Sequence, residues 1–101
     1  MQYVLRLFVA GPSEHSTAAI RNLWAMSRGP LKSNAKFDIV DVRLNPETAE
    51  AHNVFITPTL LNLAPGSVRR VVGDLSDHDH VLAALGITQR SGKSDAEEKI
   101  L

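Results

Sequence analysis

Thr57-Pro58-Thr59-Leu60-Leu61-Asn62-Leu63, Ala64-Pro65-Gly66-Ser67, Val68-Arg69-Arg70-Val71-Val72 and Gly73-Asp74-Leu75-Ser76 follow one another without a break, and this run decides the fold. Two apolar, strand-prone segments flank a short Pro-Gly turn, which is how a β-hairpin reads. Proline has no N–H to give to a ladder, so Pro58 belongs at the first residue of its strand. Ser76 is a helix N-cap candidate, and Asp79 three residues on makes a near capping box. Val81, Leu82 and Leu85 mark the buried face of the helix that follows, and Gly86 is placed to end it. The C-terminal half is therefore strand, strand, helix.

Toward the N-terminus, residues 3–9 are nearly continuously apolar and rich in β-branched and aromatic side chains, as in a strand covered on both faces. Ala10-Gly11-Pro12-Ser13 breaks it, and Ser13 is a good N-cap. From Glu14 to Met26 the residues Ala19, Ile20, Leu23 and Trp24 share one helical face. Ser27-Arg28-Gly29-Pro30 ends that helix, and Phe37–Val42 reads as a second strand. Asn45-Pro46-Glu47 supplies a cap, a first-turn proline and an acid at the positive helix end, opening a short helix that reaches to about Asn53. Val54-Phe55-Ile56 then resumes an apolar run.

The order is β-α-β-α-β-β-α. A βαβ half followed by a ββα half, with proline opening the third strand, is the α/β layout of the thioredoxin-like fold, one sheet mixing parallel and antiparallel pairs between helices. Residues 1–87 make one domain, and 88–101, almost without apolar side chains, read as a solvated tail.

The chain has 101 residues, 44% hydrophobic and 22% charged, enough for one modest core. Eleven Lys plus Arg balance eleven Asp plus Glu, so no bulk attraction to nucleic acid or to an acidic membrane is expected. The apolar N-terminal run is too short for a transmembrane helix and lacks the pattern of a signal peptide, and a soluble cytoplasmic protein is the expectation. With no cysteine there is no disulfide framework, thiolate metal site or redox dithiol.

In thioredoxin-like redox proteins the loop before the first helix carries the reactive dithiol. Here it reads Gly11-Pro12-Ser13-Glu14-His15-Ser16, and a hydroxyl cannot perform disulfide exchange. A serine activated by His15 is the sharper hypothesis, opposed by geometry, since neighbours on a helix do not face each other. Asp77-His78-Asp79-His80 places two histidines two apart, about 200° around a helix, where a metal pair wants a spacing of three or four. No metal and no cofactor is expected. Arg69 and Arg70 alternate across the sheet, so one faces solvent while the other needs an acidic partner or a helix C-terminus. Thr57-Pro58 is a candidate cis bond, as at the equivalent place in this fold class.

Several stretches together resemble the KaiB family, small partners of the KaiC ATPase of the cyanobacterial circadian oscillator. They are Tyr3–Gly11, Ile39–Val42 with Asn45-Pro46, Ile56–Leu60, and Val68–Ser76, in family order over roughly residues 3–85. The resemblance implies a non-enzymatic protein that binds a KaiC-like ATPase ring and modulates its phosphorylation cycle. It implies two folds as well, an oligomeric ground state (dimer or tetramer) with a rearranged C-terminal half and the thioredoxin-like monomer that binds KaiC. A sensor histidine kinase with a related domain would compete for the same partner surface. Asp41, Asn45, Arg69, Arg70 and Asp74, polar groups on or beside the matched strands, are the candidate partner-binding residues.

Three departures bear on this. Ala64-Pro65-Gly66-Ser67 replaces a run of prolines, and Ala84-Leu85-Gly86-Ile87-Thr88-Gln89 replaces a Gly-Leu-Asp-Leu-Leu-Tyr type segment. A long acidic tail is reduced to a short mixed one. All three favour the thioredoxin-like form. Two other functions compete with KaiC binding: a glutathione-binding enzyme framed by Thr57-Pro58, Gly73–Ser76 and the serine loop, and a thioredoxin-like module that binds a sensor kinase. The first would normally need a second helical domain.

Overall fold

The computed structural model describes residues 2–87. Its elements are β1 (Tyr3–Val9), α1 (Glu14–Arg28), β2 (Ala35–Asp41), α2 (Pro46–Ala51), β3 (Thr59–Ala64), β4 (Arg69–Val72) and α3 (His78–Ala84). The sheet order is β2-β1-β3-β4, with β1/β2 parallel and the β1/β3 and β3/β4 pairs antiparallel. This is the mixed α/β arrangement expected from the element order. The residues expected to form a tail, 88–101, lie outside the described residues.

The near-continuous apolar run of β1 is explained by what covers it. Successive strand side chains point to opposite faces. Leu5, Leu7 and Val9 enter a core with Ala19, Leu23 and Met26 of α1, Leu60 of β3, and Val81, Leu82 and Leu85 of α3. Phe8 points the other way and meets Leu61, Ala49 and Val54 in a smaller cluster beneath α2.

Several boundaries and caps differ from the sequence reading. Strand β2 begins two residues earlier than Phe37 and ends at Asp41, because its parallel register with β1 starts at Tyr3↔Ala35. Helix α1 runs on to Arg28, burying Met26, while Trp24 sits at the margin of the apolar stripe, 48% exposed and edge-on to Phe37. Strand β4 starts at Arg69 rather than Val68, and β3 starts one residue after Pro58.

Ser13 does cap α1, its Oγ accepting from the Ser16 N–H at 3.1 Å. Ser76 does not cap α3. Its own N–H donates to Asp74 Oδ1, and the cap passes to Asp77, which accepts from the His80 N–H. At the other end Gly86 has φ +73, a left-handed conformation in which glycine is unstrained, and Ile87 N–H returns to the Leu82 carbonyl. Buried Asn62 of β3 donates to the Leu85 carbonyl at 2.9 Å, satisfying a helix-end acceptor from the sheet.

Candidate functional site

The strand directions bring four connections to one end of the sheet: the segments after β1, β2 and β4, and the segment before β3. Three large apolar side chains on this end stand in solvent, Leu44 at 74%, Phe55 at 81% and Ile56 at 61% exposure, with half-exposed Val72 at the end of β4.

Local structure explains why they are out. Helix α2 has six residues, so it is only about 9 Å long and buries Ala49 alone. Beyond its cap at His52 the chain turns through Asn53, whose φ of 56 lies in the left-handed region that asparagine tolerates. Asn53 N–H returns to Glu50, and Val54 N–H to Ala49, a Schellman-type exit. That reversal turns Val54 into the core and leaves Phe55 and Ile56 outside. The following Thr57–Pro58 bond is cis, and the Thr59 hydroxyl donates back to the Ile56 carbonyl, tying the segment to the start of β3.

Asp41 organises the turn that carries Leu44. Its carbonyl accepts from the N–H groups of Leu44 and Asn45 at 3.0 Å each, and from Asn45 Nδ2 at 3.2 Å. Asn45 therefore braces the turn with its side chain instead of capping α2 with it. The Asp41 carboxylate accepts from Arg43 at N–H (2.9 Å), Nε (3.2 Å) and Nη2 (2.9 Å). The guanidinium bonds lead in holding the Asp41 carboxyl down at about 2, well below an ordinary aspartate.

The other candidate residues are scattered. Arg70 donates to the carbonyls of His52 and Asn53 at 2.8 and 2.9 Å, placing a cation on the C-terminal end of α2. Arg69 reaches the end of α3, where its side chain lies against Gly86. Asp74 lies at the same end of the sheet as Asp41 and Asn45. Its carbonyl accepts from Asn22 Nδ2, and its carboxyl is held below the ordinary range chiefly by the Ser76 N–H. Asn22 Oδ1 in turn accepts from His78 Nε2 at 3.1 Å.

The serine loop is occupied structurally. Ser16 is buried with its Oγ 3.4 Å from the Ala10 N–H, Ser13 Oγ is taken by the cap, and His15 is exposed. Among the described residues no group of three or more His, Cys, Asp or Glu could hold a metal ion. Also among them, no helix is long and apolar enough to cross a membrane. Sequence reasoning singled out polar strand residues and missed Leu44, Phe55 and Ile56. The available signal was apolar side chains in connections whose turn chemistry leaves no element to bury them.

The model of the KaiB domain matches residues 6–87. The chain belongs to the KaiB family. Among its relatives, the circadian clock oscillator protein KaiB of Prochlorococcus marinus (strain MIT 9313) is 38% identical over 85 residues, covering 84% of this chain and 71% of that one. The protein of the same name from Thermosynechococcus vestitus is 35% identical over 98 residues, covering 97% and 91%. Among solved structures, the N-terminal domain of Synechococcus elongatus SasA superposes with a TM-score of 0.61 at 24% identity, covering 90% of this chain and 89% of that one. The Malassezia sympodialis thioredoxin gives 0.69 at 22% identity over 84% and 73%. These likenesses show a thioredoxin-like fold. In this member of the KaiB family the fold carries no cysteine, and the loop that precedes α1 holds serines instead.

Proposed function

We propose that this chain is a regulatory binding module that docks on a KaiC-like ATPase ring and modulates its phosphorylation and ATPase cycle, without catalysing a reaction of its own. One observation carries the reading. Leu44, Phe55 and Ile56 each stand in solvent on the connections that flank α2, at one end of the sheet, instead of being folded under the helix. Exposed apolar side chains with a polar surround are what a docking surface offers. In this reading Asp41 and Asn45 hold the β2–α2 turn in shape and Asp74 lies on the polar rim. Arg70 fixes the end of α2 from which Phe55 departs, and Arg69 lies outside the interface. Membership of the KaiB family supplies the class of partner, and a sensor kinase domain of the same fold competes for the same ring.

Size-exclusion chromatography with light scattering, on the chain alone and mixed with a KaiC-like ATPase and ATP, tests this directly. The chain is expected to move into the ring-sized peak. If it stays at its own elution volume with every nucleotide state of the ring, that partner is wrong.

A further inference from the structure

The β2–α2 turn is fastened to a second loop, and the fastening is a feature of this chain's own side chains. Gly11, in the connection after β1, has φ +61. The Arg43 guanidinium lies directly over it, so a β-carbon at position 11 would meet the group, at 2.6 Å from Nη1 and 2.7 Å from Nε. A Cβ essentially never sits so close, so one at position 11 would make the guanidinium shift off the glycine. Along its Nε/Nη2 edge the same guanidinium is held by both oxygens of Asp41. Arg43, more than half exposed, thus rests against the bare backbone of one loop while its Nε/Nη2 edge pairs with a carboxylate of the other.

We propose that Gly11, Arg43 and Asp41 form a latch that sets the pose of Leu44 in the docking face, with Gly11 as the position that admits Arg43. The inference rests on the docking reading above for its consequence, and on the geometry alone for its existence. Leu44 follows Arg43 directly, and its N–H is bonded to the carbonyl of the same Asp41 that holds the guanidinium. An isolated exposed ion pair contributes little to stability. An arginine fork held at two bonds, with its plane against a glycine, instead restricts which direction the turn faces. The latch therefore acts on the orientation of an interface residue that it does not replace.

The test uses Gly11→Ala, Arg43→Ala and the double variant in the full chain, with two readouts. The first needs no partner: the Asp41 carboxyl, followed by NMR titration, should move up from about 2 toward its ordinary 3.8 in both single variants. A carboxyl held down in the folded state adds stability above its unfolded pKa, and that stability is lost as pH falls through the folded value. Wild type should therefore show this loss between pH 3.8 and about 2, and both variants should show less of it. The second readout is affinity for the ATPase ring, expected to fall about tenfold in each single variant, with Gly11→Ala adding little once Arg43 is gone, as coupled neighbours do.

An Asp41 titration unmoved by Gly11→Ala overturns the latch, whether or not the ring binds. Effects of the two substitutions that simply add, in melting temperature and with unchanged ring affinity, overturn its positioning role. Wild-type chain that fails to bind the ring sinks the partner assignment, and the titration then decides the latch by itself.

Discussion

The two faces of the sheet are built from the same strands and finish very differently. On one face α1, fifteen residues long, and α3 close over Leu5, Leu7, Val9 and Leu60 and leave none of them exposed. On the other, six-residue α2 covers Phe8 and Leu61 and stops, so Leu44 before it and Phe55 and Ile56 after it remain in water. A helix too short to cover its side of a sheet leaves apolar residues at its two ends, and those ends are where this molecule has surface to offer. The closed face carries the stability, and the open one is the contact surface under the proposed function.

The largest effect should come from breaking the closed face. Leu60→Ala removes a fully buried side chain next to β1 and is expected to cost about 2–5 kcal/mol in urea unfolding. Phe55→Ser puts the contrast under the sharpest strain. It should leave folding stability within about 0.5 kcal/mol while weakening ring binding by about 2 kcal/mol, the scale of a buried aromatic anchor. Stability loss comparable to that of Leu60→Ala would mean that the open face is part of the core after all. The smallest effect concerns the edge of the closed face, where the cap of α3 lies. Asp77→Ala should cost about 1 kcal/mol, the usual loss for a capping side chain. Ser76→Ala, which removes a hydroxyl that caps nothing, should change stability by less than about 0.5 kcal/mol. Equal losses in the two would return the cap to Ser76.

Much of the closed face was legible. Apolar residues at helical spacing in α1 and α3 name their own buried sides, because a side chain's direction follows from the backbone period, and the continuous apolar run of β1 announces a strand covered on both faces. Trp24 shows where that reasoning stops. Periodicity assigns it to the apolar stripe, but how far the stripe is covered depends on β2 lying beside α1, and Trp24 ends up half outside against Phe37. Ser76 fails for a related reason. Its composition suits a cap, yet Asp74 takes its N–H, and Asp74 is held by Asn22 of α1, fifty-two residues away in the chain. The open face was legible only in part. The sequence offers Asp41 and Asn45 as polar candidates beside the strands, and the structure employs both in shaping the turn. Nothing in the sequence alone separates Leu44, Phe55 and Ile56, which stay in water, from Val54, which is buried.

By itself the sequence determined the element order, the hairpin, the cap at Ser13, the stop at Gly86 and the absence of thiol chemistry. Each follows from properties that a residue carries with it: ring closure in proline, a missing Cβ in glycine, a hydroxyl within reach of an amide, the lack of sulfur. Only the tertiary structure decided which apolar residues stay in water, that Asp77 and not Ser76 caps α3, that Arg70 closes the end of α2, and that Arg43 rests on Gly11. Those outcomes depend on distances between segments far apart in the chain, and such distances exist only once the sheet has brought the segments together.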